Sequence, residues 1–358
     1  MSFWQGKRVL LTGHTGFKGT WLRLWLTEAG ARVTGLALKP DTTPSLFSQL
    51  GATGEIDHRL GDVRNAETVA ATVREAQPDI VLHLAGQALV LRGYRLPVET
   101  WATNVMGTVN VLNALRALDK PCAAVLATSD KVYRNDEWEF GYRETDCLGG
   151  HDPYSASKAA AELAIRSWRK SFLNGRSPVR IATVRAGNVI GGGDWSEYRI
   201  VPDIVRALSA GREIEIRNPG ATRPWQHVLE PLSGYLQLAQ RLYESDDPLY
   251  QDAFNFGPTA EAERNVRQLV EECLKHWPGR WRETSEPGMR HEDGRLALSI
   301  DRAQVRLGWA PRWDFARAVR ETIEWYRASR DVGPSGLRGL LVCAIRRHQA
   351  SDRVHGVR

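Results

Sequence analysis

Arg8-Val-Leu-Leu-Thr12 runs without interruption into Gly13-His-Thr-Gly-Phe-Lys-Gly19, and that into the apolar, tryptophan-containing Thr20-Trp-Leu-Arg-Leu-Trp-Leu26. A short apolar run with no polar alternation reads as a strand buried on both faces, as in a parallel sheet. Each glycine of the loop has its own task. Gly13 permits the tight turn, Gly16 lets backbone approach a pyrophosphate, and Gly19 lets helix and strand pack closely, with the helix N-terminus facing the phosphates. A glycine triplet alone is weak evidence; its position between a strand and a helix makes it a dinucleotide loop.

Outward from this unit, strand-like runs at 8–12, 32–38, 79–84, 122–128 and 179–185, with a weaker one at 55–60, alternate with helix-length segments at 17–29, 66–76, 97–118 and 153–172. That alternation predicts an α/β fold with a doubly wound parallel sheet. Beyond Arg185 the chain turns Gly-, Trp- and Pro-rich, in Gly187-Asn-Val-Ile-Gly-Gly-Gly-Asp-Trp195 and Arg217-Asn-Pro-Gly-Ala-Thr-Arg-Pro-Trp-Gln-His227. We therefore expect a nucleotide-binding domain over 1–185, rejoined by a late strand at 253–257, and a smaller C-terminal substrate-binding lobe over 186–330. Residues 331–358 read as a basic, loosely ordered tail.

The chain has 358 residues with 42% hydrophobic and 25% charged side chains, enough to bury a sizeable core and too apolar for disorder. Its formal net charge of +6 is concentrated at the end, where five Arg face one Asp beyond residue 333. The body is nearly neutral, so we expect no nucleic-acid partner. Cys122, Cys147, Cys273 and Cys343 have no metal-ligand spacing and read as free thiols in a reducing cytoplasm, with no metal site. The N-terminus is not expected to be a secretory leader, and no apolar run approaches the roughly 20 residues that span a bilayer.

Tyr154-Ser-Ala-Ser-Lys158 sets a phenol and an amine one helical turn apart on one face. A neighbouring ammonium stabilises a phenolate, so the pair is suited to removing a hydroxyl proton while hydride leaves the same carbon. Thr128-Ser-Asp-Lys131 closes the fifth predicted strand with a hydroxyl, an acid and an amine in sequence. In most helices Tyr-x-x-x-Lys is a solvated face; here the strand end supplies it with company.

The three-residue spacing in Gly13-His-Thr-Gly16, Tyr154-x-x-x-Lys158 and the motifs Thr128-Ser-Asp-Lys131, Gly141-Tyr-Arg-Glu144, Asp152-Pro-Tyr-Ser-Ala-Ser-Lys158, Gly187–Trp195 and Arg223-Pro-Trp-Gln-His-Val-Leu-Glu230 resemble the extended short-chain dehydrogenase/reductase family. Within it they resemble the CDP-glucose 4,6-dehydratases, over nearly the whole chain to about residue 328. The resemblance implies a Rossmann fold and NAD, in contact with Gly13, Thr15, Gly16, Phe17, Gly19, Asp62, Val63, Leu84, Ala85, Gln87, Tyr154 and Lys158. The end of the second strand, Leu38-Lys39-Pro40-Asp41, does not by itself choose between NAD and NADP. It further implies catalysis by Ser129, Asp130, Lys131, Tyr154 and Lys158, and substrate contacts at Asn188, Trp195, Arg199, Arg223, His227 and His291.

The implied reaction is conversion of CDP-glucose to its 4-keto-6-deoxy product by a hydro-lyase, for deoxysugar biosynthesis such as that of lipopolysaccharide O-antigen. A homodimer or dimer of dimers through helices 97–118 and 153–172 is implied as well. Lys131 stands where the dTDP-glucose and GDP-mannose dehydratases carry Glu. An epimerase on another nucleotide sugar would need no acid and base at C5 and C6. A non-catalytic NAD-binding scaffold would not need Ser129, Tyr154 and Lys158.

Overall fold

The chain order of the strands reverses beside β1 (Arg8–Thr12), and that reversal positions everything described below. From β1 the sheet runs one way through β2 (Arg32–Ala37) to β3 (Asp57–Leu60). The other way it runs through β4 (Ile80–His83), β5 (Cys122–Ala127) and β6 (Val179–Ala186). All neighbours pair parallel, with Leu11 opposite both Gly35 and Leu82. In such sheets the crevice for a ligand opens at the carboxyl ends of the strands, where the order reverses. The computed structural model describes residues 2–51, 55–173, 177–259, 263–284 and 295–352.

Apolar runs without alternation bury side chains on both faces. Val9, Leu11, Ile80, Leu82, Val125 and Val184 pack into one core, and Leu10, Val81, Ala124, Leu126 and Ile181 into the other. Within the seven-stranded sheet β3 is largely exposed, consistent with its weaker apolar signal and edge position.

On the first half of the chain lie α1 (Phe17–Glu28), α2 (Leu46–Leu50), α3 (Ala66–Ala76), α4 (Val90–Arg95), α5 (Pro97–Trp101), α6 (Gly107–Leu115) and α7 (Pro153–Ser171). The helix expected over 97–118 is not one α-helix. A π-helical turn, Ala102–Met106, joins α5 to α6, and α6 ends at Leu115. Helix α7 starts sharply because Asp152 accepts from the backbone N–H groups of Tyr154 (2.8 Å) and Ser155 (3.1 Å), with Pro153 at its first position.

Past β6 come β7 (Val189–Ile190), α8 (Ile200–Ser209), β8 (Ile214–Ile216), β9 (Thr222–Pro224), β10 (Gln226–His227) and α9 (Leu229–Glu244). The chain then returns to the sheet as β11 (Ala253–Phe256), parallel to β6 at the edge. β12 (Glu263–Asn265), α10 (Val266–His276), β13 (Trp281–Glu283) and α11 (Phe315–Ala328) follow.

The loosely ordered tail is corrected over most of its length. Pro334–Ala350 form helix α12, which buries Leu337, Leu341, Val342, Ala344, Ile345 and His348. Four of these are large aliphatic groups, each worth ~1.5–3 kcal/mol on full burial. Arg338 adds ion pairs to Glu28 at the end of α1 (2.8 Å) and to Glu55 (3.1 Å). His348 sits with its Nε2 3.0 Å from Glu230 Oε1, though not aligned for a hydrogen bond. Residues 353–358 lie outside the described residues.

Candidate active site

The glycine loop is built as its sequence requires. Gly13 has φ +77°, and a Cβ there would lie 2.7 Å from the Ala85 nitrogen. At Gly19 a Cβ would lie 2.0 Å from the Gly13 carbonyl oxygen. At Gly16 a Cβ would meet only the Gly13 oxygen at 3.4 Å, so this is where the loop leaves room for a ligand. No side chain caps α1, so its first N–H groups remain available to an anion.

The neighbouring cofactor candidates frame that opening. Thr15 donates to the Leu38 carbonyl at 2.9 Å, tying the loop to the end of β2. Leu84 N and Ala85 N donate to Thr12, holding the end of β4 beside the loop. The Asp62 carboxylate is gripped by Arg64, whose guanidinium holds it below its ordinary range against the opposing effect of burial. Val63 packs on Gly107, and Phe17 faces Gly191 across the crevice. The buried Gln87 donates its N–H to Asn104 Oδ1 at 2.8 Å.

Ser129 caps a short 3-10 turn, Asp130–Val132, at the end of β5. Its Oγ accepts from Lys131 N at 3.2 Å and donates to Asp130 Oδ1 at 2.8 Å. Asp130 is buried and its other oxygen, Oδ2, has no hydrogen-bond partner. That oxygen faces Gly187, where a Cβ would come within 2.9 Å of it. Burial raises the Asp130 pKa, against the opposing charge of Lys131 and the Ser129 hydrogen bond, and so biases the carboxyl towards its neutral form.

Tyr154 and Lys158 project from α7 into the same region. Burial pushes Tyr154 up to about 12, with Ser129 and Arg199 acting in the opposite direction. The lowering of the phenol expected from its neighbouring amine is not found in the protein alone: the groups that pull it down are Ser129 and Arg199, not Lys158, and desolvation outweighs them. Burial brings Lys158 down to about 8, opposed by Glu162. The Lys158 Nζ donates to the Ala127 carbonyl at 3.4 Å. A Cβ on Gly86 would lie 3.1 Å from that nitrogen, so only glycine leaves the amine its place.

Three groups absent from the expectations join this centre. Asn104, in the π-helical turn, donates to Ser157 Oγ (2.9 Å) and to the Gln87 carbonyl (3.1 Å), pinning α7 to the loop after β4. Asn104 is one of three asparagines in 97–118, so the sequence does not single it out. Lys18, half-buried on α1, is lowered to about 8 by burial and by Arg199, with Asp130 pulling it up. His14 shares a 2.6 Å contact with His58, and burial lowers it to about 4, with the His58 charge adding to the effect.

The substrate candidates divide. Arg199 pairs with the buried Asp194 at 2.8 Å and lies close enough to act on both Tyr154 and Lys18. Asn188 and the half-buried Arg223 lie on the segments that bring β7 and β10 together. Trp195 turns away, donating to Gln49 Oε1 at 3.3 Å and packing on Tyr326. Trp225 and His227 are core residues, His227 wedged between Trp21 and Trp313 and held well below its ordinary pKa by burial. His291 lies outside the described residues.

Around one crevice the fold thus assembles a phenol, a hydroxyl, a carboxyl biased towards neutrality and several amines. This is equipment for moving protons in both directions. Residues 10–322 match the family model described as GDP-mannose 4,6 dehydratase. A CDP-glucose 4,6-dehydratase of Salmonella typhimurium is 45% identical over 333 residues, covering 91% of this chain and 92% of that protein. A dTDP-glucose 4,6-dehydratase of Mycolicibacterium smegmatis is 29% identical, covering 90% of this chain and 94% of that protein. Among solved structures, DesIV, a dTDP-glucose 4,6-dehydratase of Streptomyces venezuelae with NAD and TYD bound, superposes with a TM-score of 0.77 at 22% identity. That match covers 90% of this chain and 98% of DesIV, and it is a likeness of fold.

Proposed function

This chain belongs to the GDP-mannose 4,6 dehydratase family, and on that premise we propose that it converts CDP-D-glucose to CDP-4-dehydro-6-deoxy-D-glucose and water, with NAD recycled at each turnover. The observation that carries the reading is the Asp130–Lys131 step beside Ser129. Asp130 has a buried carboxyl with one unpartnered oxygen, next to an amine, where elimination of water needs an acid and a base.

The glycine loop fits a dinucleotide. Its uncapped helix N-terminus and the open space at Gly16 suit a pyrophosphate. When bound, NAD would accept the hydride from C4 and return it to C6. Tyr154 takes the O4 proton, Ser129 hydrogen-bonds O4, and Lys158 stabilises the phenolate. In the resulting 4-keto sugar the C5 proton is acidic. Lys131 removes it while Asp130 protonates the departing O6, which leaves as water, and a proton returned to C5 closes a redox-neutral dehydration.

Arg199, Asn188 and Arg223 are our candidates for the diphosphate and the adjoining sugar, since guanidinium groups suit phosphate oxygens. We assign the nucleotide to 1–185 with the returning strand at 253–257, and the sugar nucleotide mainly to 186–330. The apolar side chains exposed along α5, the π-helical turn and α7, Val98, Trp101, Met106 and Leu163, support a homodimer seam there. No helix among the described residues is long and apolar enough to cross a membrane; four cysteines standing as thiols support a cytoplasmic location.

The test is incubation with CDP-glucose, dTDP-glucose and GDP-mannose in turn, following the alkaline absorbance of the 4-keto product. Turnover of CDP-glucose is the expected result. Turnover of dTDP-glucose alone would overturn the substrate assignment.

A further inference from the structure

One turn beyond Lys158 on α7 lies Glu162, a carboxylate that the proposed chemistry leaves unused. Its side chain is 5% exposed and that of its partner Arg185, on β6, is 4% exposed. The pairing is bidentate, with Arg185 Nε on Oε1 and Nη2 on Oε2, both at 2.9 Å. Thr128 at the end of β5 donates to Oε1 at 2.6 Å, and Thr183 on β6 donates to Oε2 at 3.1 Å. Arg185 in turn donates to the Tyr133 hydroxyl at 2.8 Å, and Tyr133 donates to Asn255 on β11 at 2.7 Å.

Thr128 and Tyr133 bracket Ser129-Asp130-Lys131. The ion pair therefore grips both sides of the proton-handling turn and, through α7, the helix that carries Tyr154 and Lys158. A buried ion pair is a costly way to gain stability alone, since an apolar pair of similar volume often does as well. Its value here is a fixed geometry and a fixed charge.

We propose that Glu162 and Arg185 are positioning residues of the catalytic centre, fastening the Lys158 turn of α7 to the Ser129 turn of β5 and holding the Glu162 carboxylate one helical turn from Lys158. This rests on the reading of Lys158 and Ser129 given above. Burial would raise the Glu162 carboxyl, but Arg185 and the two threonines hold it ionised. Glu162 opposes the lowering of Lys158 that burial causes. Lys158 itself acts on Lys18 on α1 and His83 on β4, lowering both. Neither of these is exchanged along with Glu162. A unit charge one helical turn away, at an effective dielectric of about 20, moves a titration midpoint by roughly two pH units.

The experiment follows the Lys158 midpoint by 13C NMR of Cε-labelled lysine in the full-length protein, and the pH dependence of kcat with CDP-glucose, for wild type and three variants. Glu162→Gln removes the charge that opposes the lowering of Lys158. It should lower the Lys158 midpoint and draw the alkaline limb of kcat towards acid by about one pH unit or more. The double variant Glu162→Gln/Arg185→Gln loses the fastening as well as the charge, so the midpoint should stay lowered and kcat should lie at least tenfold below wild type. Glu162→Asp keeps the charge, so it should leave the midpoint in place yet lower kcat at least tenfold with KM within threefold. If Glu162→Gln does not fold, the kcat against KM split in Glu162→Asp decides alone. An unmoved midpoint in a folded Glu162→Gln, or undiminished kcat per folded enzyme in Glu162→Asp, overturns the inference. Because the midpoint is read without substrate, failure of wild type to turn over CDP-glucose would count against the substrate reading and not against this one.

Discussion

Asp130 and Lys131 are chain neighbours in unlike surroundings: the carboxyl is 4% exposed with an oxygen left unpaired, and the lysine beside it is half-buried. Burial biases the carboxyl towards its neutral form, while the amine beside it keeps partial access to water, so the two neighbours meet the solvent differently.

Replacement of Asp130 by Asn keeps the shape and removes the proton donor. Dehydration should slow about a hundredfold or more. Oxidation at C4 should survive, so reduced cofactor should accumulate in a single turnover. A variant that neither dehydrates nor reduces cofactor would place Asp130 in the first half of the reaction instead.

Lys131→Met addresses the opposite partner. NAD binding should persist, and incorporation of solvent deuterium at C5 of the product should be lost together with turnover. Undiminished deuterium at C5 would remove Lys131 from the role of base.

Lys158 should cost the protein stability. Burial brings its amine down to about 8 in the folded chain from the ordinary 10.5, so between those values the unfolded chain holds a proton that the folded chain has released. Stability contributed by this group therefore rises with pH from about 8 to 10.5, and below 8 its charge is a full penalty. Lys158→Met should abolish turnover while gaining roughly 1–3 kcal/mol at pH 7 in urea denaturation. The gain should shrink as pH rises.

The two glycines at either end of the nucleotide turn should fail differently. Gly19→Ala drives a methyl into the Gly13 carbonyl and should lower both Tm and NAD affinity. Gly16→Ala has room in the protein alone, so Tm should hold while NAD affinity, read by fluorescence titration, falls.

Leu341, on α12, is fully buried. Leu341→Ala should cost about 2–5 kcal/mol in urea denaturation, with kcat per folded enzyme unchanged. A loss below 0.5 kcal/mol would mean that the helix contributes little to the fold.

What the sequence discloses follows from how local each signal is. β1 and its loop are legible because Leu10 and Leu11 are buried on opposite faces, and because the three glycines act within seven residues of chain. Tyr154 and Lys158 are legible because helical spacing alone puts them together. Helix α12 is not, since Gly336, Gly339 and four interspersed basic residues blur its stripe of Leu337, Leu341 and Ile345. Its burial depends on α1 and α2, far away in sequence. His227 misleads for a similar reason. Its motif is local, but Trp21 and Trp313 decide that it lies in the core. The charge balance at Lys158 joins α7 to β6 across residues whose chemistry is unremarkable when read singly.

The C-terminal helix has a consequence for how the protein is made. α1 opens the nucleotide loop, yet its outer side is covered by α12, with Trp25 against His348 and Glu28 held by Arg338. Arg338 and Glu55 are 283 positions apart. During synthesis α1 leaves the ribosome long before α12, so the nucleotide loop acquires this support only after the segment that carries Arg338 has been made.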